Sequence, residues 1–230
     1  MQNYNFAGEI RFWLKLYLRG PTVAVNDYEF VDKWRVKATL EEVYDILSNG
    51  EDLKRWWPGI YLDAKEVEHG DESGLGRVVN FRAQGGRLLY VLNWTARTIE
   101  TRKPYGFSLE ASGDFIGKGV WTFEQDGDWV NVTYVWTIRA AAPILRYLSF
   151  LIKPILAENH RYAMRVGEQS LKLELARRHA HTPEERAMIP DPPPPITFES
   201  VLPALGASTA ALTGLMILLG LLISRCKGCK

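Results

Sequence analysis

Between Tyr61 and Arg139 the chain alternates apolar and polar residues with a period of two, interrupted by short glycine-rich turns. After Pro143 the spacing becomes helical and stays so to about His179. A period of two sends successive side chains to opposite faces of a strand. One wet and one apolar face, with hairpin connections, describes an antiparallel meander. A sheet of that kind must cover its apolar face, and the helix that follows is the element long enough to do so. The expected class is therefore α+β: a curved antiparallel sheet of about six to seven strands wrapped around one long C-terminal helix.

The individual elements read as follows. Tyr28 to Lys37 alternates, with Phe30, Asp32, Trp34 and Val36 on one face. Thr39 and Glu42 have the spacing of a capping box and open a helix whose apolar side carries Val43, Ile46 and Leu47. Glu51 to Trp57 reads as a second short helix, stopped by Pro58. Turns are expected at Gly70–Gly76, Gly85–Gly86, Lys103–Gly106, Gly113–Gly119 and Asp126–Gly127. Between them, Leu92, Trp94 and Ala96 share a face, as do Phe107, Leu109 and Ala111, then Trp121 and Phe123, then Val130 through Ile138. In the long helix, Ile152, Ile155, Leu156, Ala163, Val166 and Leu173 line one side, and Pro154 is expected to break it near its start.

Taken together, these elements resemble the START-like, helix-grip domains of the polyketide cyclase/dehydrase and lipid-transport (SRPBCC) superfamily. The resemblance spans about Tyr28 to Arg178. It rests on EFVDKWRVKATLEEVYDILSN at 29–49, WWP at 56–58, GLGRVVNF at 74–81, GVWTFEQDGDWVNVTYVW at 119–136 and NHRYAMRVGEQSL at 159–171. It implies a deep apolar pocket between sheet and helix and, in most members, no bound metal or other cofactor. It does not give the ligand, because this scaffold hosts carriers, cyclases and hydratases alike.

The chain has eight Trp, ten Tyr and nine Phe, a heavy aromatic load that needs a place to be buried. The residues expected to line a ligand pocket are Trp34, Phe81, Trp94, Trp121, Phe123, Tyr134, Trp136, Asn159 and Ala163, with Tyr134 and Asn159 supplying polar groups. The alternative for the aromatic set is plain core, since aromatics at period two usually are. Trp56 and Trp57 either close the pocket mouth or pack internally. No catalytic motif is present. His160 beside Asn159, with Asp32 on the inward face of the first strand, is the one pair with the chemistry of a general base and its orienting carboxylate. The alternative is a pair of satisfied structural polar groups. The leading expectation is a module that binds, and possibly transfers, a hydrophobic small molecule such as a lipid, a quinone or a polyketide-like compound; the alternative is a cyclase or dehydratase acting in the same pocket.

Two segments lie outside that pattern. Residues 6–18 have helical apolar spacing with Arg11, Lys15 and Arg19 opposite, which suits an interfacial helix or one packed on the domain. At the other end, Pro190–Pro195 reads PDPPPP, and no charged residue occurs from Val201 to Ser224, a length that spans a hydrocarbon core. The expected organisation is thus a lead-in at 1–27, the helix-grip domain at 28–181, a proline-rich linker at 182–200, a transmembrane helix at 201–224 and a basic tail at 225–230. Gly206, Ala210 and Gly214 are spaced for close helix pairing, so the span could form a homodimer. Arg225, Lys227 and Lys230 favour a cytoplasmic C-terminus. Without an export signal, however, a tail-anchored arrangement with the domain in the cytoplasm is expected. Cys226 and Cys229 are the only cysteines, so the folded domain has no disulfide; two thiols alone are half a zinc site. With 28 Lys and Arg against 27 Asp and Glu, the chain lacks the basic excess of a nucleic-acid partner.

Overall fold

The computed structural model describes residues 27–84, 91–140 and 149–197. The elements are β1 (Asp27–Lys37), α1 (Leu40–Leu47), a 3-10 turn (Gly50–Asp52), α2 (Leu53–Trp56), β2 (Tyr61–Glu68), β3 (Val78–Gln84), β4 (Val91–Thr101), β5 (Gly106–Gly113), β6 (Phe115–Asp126), β7 (Trp129–Ala140), α3 (Ser149–His179) and α4 (Pro183–Ala187). The segment 6–18, the Gly85–Gly86 turn, the span 201–224 with its pairing face, and Cys226 and Cys229 lie outside the described residues. Among the described residues, no helix is long and apolar enough to cross a membrane.

All seven strands form one antiparallel sheet in the order β1-β7-β6-β5-β4-β3-β2. The first strand closes on the last, from Asp27↔Arg139 to Lys37↔Trp129. Register shifts at Thr98/Glu100 and within β2 bend the sheet. Alternation delivers Trp34, Val36, Trp94, Ala96, Phe107, Ala111, Trp121, Phe123, Val130, Val132, Tyr134, Trp136 and Ile138 to the concave face, all buried. Helix α3 crosses that face. The curved sheet with its C-terminal helix is the helix-grip fold.

Two local expectations are corrected. Gly113–Gly119 is not wholly a turn: the β5–β6 hairpin closes at Ala111↔Gly117, and Phe115–Gly119 already pairs with β7. Gly113 takes a positive φ of 107° at the reversal, while Gly117 and Gly119 serve close strand packing. Pro154 does not divide the long helix, whose backbone is continuous from Ser149. It falls in the second turn, where the missing amide costs one hydrogen bond near an end that has few to lose.

Helix α1 begins with the capping box: the Glu42 amide donates to Thr39 Oγ1 (3.3 Å) and the Thr39 amide to Glu42 Oε2 (2.8 Å). It buries Val43, Tyr44, Ile46 and Leu47 against one end of the sheet. Trp56 and Trp57 are both buried. The Trp57 indole lies flat on α3 at Gly167, where a Cβ would approach its ring to 2.3 Å. Glycine in a helix interior costs about 1 kcal/mol relative to alanine; here it lets α2 and α3 meet. Arg55 completes that junction, donating to both carboxylate oxygens of the buried Glu174 (2.8 and 2.7 Å).

Candidate functional site

Sheet and α3 do not meet everywhere. Between them is a cavity of about 180 Å³. A single water needs roughly 10–15 Å³ of such space, so the room is that of a small organic molecule. Its floor is the concave face of β3 to β7, its roof is α3 through Leu156, Asn159, His160, Ala163 and Met164, and Trp57, Ile60 and Tyr61 close one flank.

The floor is aromatic because register places aromatic residues opposite one another. Phe81 pairs with Trp94 across β3 and β4, and their rings lie 4.6 Å apart. Trp121 pairs with Tyr134 across β6 and β7, stacked at 4.0 Å and 18°. Trp136 joins the two groups, 5.7 Å from Trp94 and 5.8 Å from Tyr134. Cross-strand aromatic contacts of this kind stabilise a sheet while exposing ring faces and edges to whatever lies above. Gly119 keeps the floor open: a Cβ there would come within 2.8 Å of the Tyr134 hydroxyl and 3.0 Å of the Trp136 ring.

Seven of the nine expected lining residues face the cavity: Phe81, Trp94, Trp121, Tyr134, Trp136, Asn159 and Ala163. Trp34 and Phe123 do not. Trp34 is wedged between Trp57 (5.7 Å) and Trp121 (5.4 Å). Phe123 packs edge-on to Tyr44 (6.4 Å) and Phe107 (6.3 Å) beneath α1. Both have the inward parity of a lining residue, but a neighbouring element fills the space above them. The sequence reading also missed lining positions. Phe107 and Leu109 carry the inward parity and were findable. Of the two residues that sequence alone assigns to either role, Trp57 lines the cavity and Trp56 packs internally. Tyr61 and Gln84 stand at strand ends, where parity gives no guide.

Few polar groups enter this apolar space. Asn159 is 7% exposed, and its Nδ2 has no hydrogen-bond partner among the described residues. Burial raises the Tyr134 phenol well above its ordinary value, reinforced by Tyr61 and Asp32. Burial likewise raises Tyr61. Both phenols are therefore neutral at physiological pH and able to donate a hydrogen bond.

His160 and Asp32 do come together. His160 Nε2 lies 2.6 Å from Asp32 Oδ2, and the two side chains are 14% and 16% exposed. The imidazole stacks on Phe30 at 4.0 Å and 16°. His160 lines the cavity while Asp32 stands behind it, on β1. A carboxylate behind an imidazole fixes the orientation of the ring, as a positioned general base requires. Of the other histidines, His179 pairs with Glu42 at 2.7 Å, and His69 with Glu66, both away from the cavity.

The proline-rich stretch returns along the domain. Arg177 Nη2 donates to the Pro190 carbonyl. Gly59 abuts the stretch, such that a Cβ there would meet the Pro193 carbonyl oxygen at 2.9 Å. At its end Gln84 Nε2 donates to the Ile196 carbonyl (2.6 Å), and the Ile196 amide donates to Gln84 Oε1 (3.0 Å).

Comparison with known proteins places this geometry. Residues 28–173 match the family described as polyketide cyclase / dehydrase and lipid transport. No curated protein matches the chain. Among solved structures, a protein of Thermus thermophilus is 19% identical with a TM-score of 0.52, covering 63% of this chain and 97% of its own. The Zhui aromatase/cyclase from Streptomyces is 15% identical with a TM-score of 0.51, covering 67% and 97%. The di-domain ARO/CYC BexL is 14% identical with a TM-score of 0.51, covering 76% of this chain and 59% of BexL. At such identities the likeness is one of fold.

Proposed function

Because the chain belongs to the polyketide cyclase / dehydrase and lipid transport family, we propose that its cavity binds and shields an apolar small molecule, such as a lipid, a quinone or a polyketide-like compound. The observation that carries this reading is the cavity itself: about 180 Å³ with an aromatic floor and few polar groups. Apolar surface moved there from water contributes about 25 cal/mol per Å². Aromatic faces suit a flat or unsaturated ligand, and Asn159 Nδ2 offers it one hydrogen bond. Residues 201–224 are proposed to tether the domain to a bilayer, on its cytoplasmic side, where such molecules are held. The purified full-length chain, extracted with organic solvent, is expected to release a co-purifying apolar compound detectable by mass spectrometry. An empty extract, together with no binding across a panel of lipids, quinones and polyketides, rules the reading out.

The Asp32–His160 pair favours a second reading, that the bound molecule is also transformed by proton transfer, as in a cyclase or dehydratase. The two readings separate on His160→Gln. A carrier with this substitution retains its ligand and its function. A cyclase retains the ligand but loses ring closure of a polyketide analogue, followed by chromatography.

A further inference from the structure

Strand direction sorts the connections of this domain into two sets. All neighbouring strands are antiparallel, so the starts of β1, β2, β4 and β6 and the ends of β3, β5 and β7 lie at one end of the sheet. Helix α3 starts at that end as well. Its successive contacts run from Asp32 (His160) through Arg35 (Glu168) to Glu42 on α1 (His179).

Both ends of the described chain lie toward that same end of the sheet. Asp27 opens β1 there, preceded in sequence by the amphipathic segment 6–18 with Arg11, Lys15 and Arg19. The C-terminal side would leave from the opposite end, where α3 finishes, were it not for the proline-rich stretch. An extended proline-rich chain advances about 3.1 Å per residue, so the six steps from Pro190 to Ile196 carry it roughly 19 Å back along the domain. The paired hydrogen bonds to Gln84 fasten it at the end of β3. Four residue steps then separate Thr197 from Val201, at most about 15 Å of chain. The described chain thus ends, at Thr197, close to the sheet end at which β1 begins.

The connections differ in kind between the two ends. At the far end they carry Asp71, Glu72, Arg77, Arg102, Lys103 and Asp128. At the near end the β5–β6 connection carries Asp114, while the sequences between β3 and β4 (GGRLLY) and between β7 and α3 (AAPILRYL) are apolar with one arginine each, a composition suited to a lipid surface. The cavity lining runs along the sheet, from Ser48, Arg77 and Thr98 on the far side to Tyr28, Gln84, Leu92, Phe115 and Ile138 at this end.

We propose that the sheet end formed by the start of β1 and the end of β3 is the face this domain turns to a lipid bilayer, and that apolar ligands pass between bilayer and cavity there. This rests on the tether reading above. The proline strap is then not a spacer that holds the domain away from the membrane. It returns the chain to the correct end and removes slack.

Fluorescence quenching tests the orientation. In the full-length chain carrying Cys226→Ser and Cys229→Ser, an environment-sensitive fluorophore is attached through Arg82→Cys, near the end of β3, or through Tyr105→Cys, at the far end. Both positions are exposed. The chain is bound to vesicles of phosphatidylcholine and phosphatidylserine containing headgroup-nitroxide lipid. Quenching several-fold stronger at position 82 than at 105 is expected. The pair Ile116→Cys and Asp128→Cys repeats the comparison, so that one misfolded variant does not decide it. Equal quenching at both ends, or stronger quenching at 105, in a chain that floats with vesicles overturns the proposed face and leaves the tether intact. A chain that does not float with vesicles overturns the tether, and this inference with it.

Discussion

Phe123 and Trp94 are both large aromatic residues on the concave face of one sheet, placed there by the same alternation, yet they serve different halves of the molecule. Phe123 sits under α1, edge-on to Tyr44 and Phe107, and presents no face to the cavity. Trp94 sits under α3, where the roof stands off and leaves a cavity. The sheet is continuous between them, so the difference comes from the cover. A short amphipathic helix can settle into the sheet's end. The 31-residue helix crossing the concave surface stands off it along Leu156–Met164. Inward parity is therefore necessary for lining a cavity but not sufficient.

The contrast can be broken by truncation. Phe123→Ala should cost about 3–5 kcal/mol, the usual range for an aromatic in a filled core, read from the urea midpoint. Trp94→Ala should cost less than that range, because one side of the indole already faces open space, and should instead weaken ligand binding in a titration. Equal losses of stability would mean that the cavity half is packed as tightly as the other.

Acid should act at the junction of α2 and α3. Burial pushes Glu174 upward, but hydrogen bonds from Arg55 and Arg178 outweigh it and hold the carboxylate below its ordinary value of 4.5. A carboxylate depressed by folding contributes stability above its unfolded-state value, and that contribution is lost as pH falls through the folded-state value. Stability should thus be steady near neutrality and decline below about pH 4.5. The Glu174→Gln variant should show a shallower decline in acid urea titrations. An identical pH profile would remove Glu174 from the account.

The smallest expected effect sharpens the comparison from the cavity side. Gly119→Ala places a methyl group against the Tyr134 hydroxyl and the Trp136 ring. Those groups can shift into the cavity, so the cost should stay within about 1–3 kcal/mol, while affinity for the larger members of a ligand panel falls selectively. A uniform loss of affinity across ligand sizes would contradict a floor opened by this glycine.

Much of this was legible in the amino-acid order. Hairpin spacing and period-two alternation gave the strands and their inward faces; the capping box at Thr39 and the change of period after Pro143 gave the helices. The Asp32–His160 pair was also readable, because β1 parity and helical position each pointed inward. Gly113–Gly119 misled because glycine marks both reversal and close strand packing. Pro154 misled because a proline's effect depends on how near the helix end it falls. Trp34 and Phe123 could not be told from Trp94 and Trp136 by pattern, since what lies above a residue is not written in its own strand.

The chain's own order of residues determined an antiparallel sheet with one aromatic face, a long helix to cover it, and apolar segments flanking both. Local periodicity sets those features, and they survive without knowledge of any distant contact. Only the tertiary structure decided which residues of that face are covered and which line a cavity. It also decided that the proline stretch folds back to Gln84. Both outcomes depend on the separation of elements far apart in sequence, fixed by contacts such as Trp57 on Gly167 and Arg55 on Glu174 that no local pattern encodes.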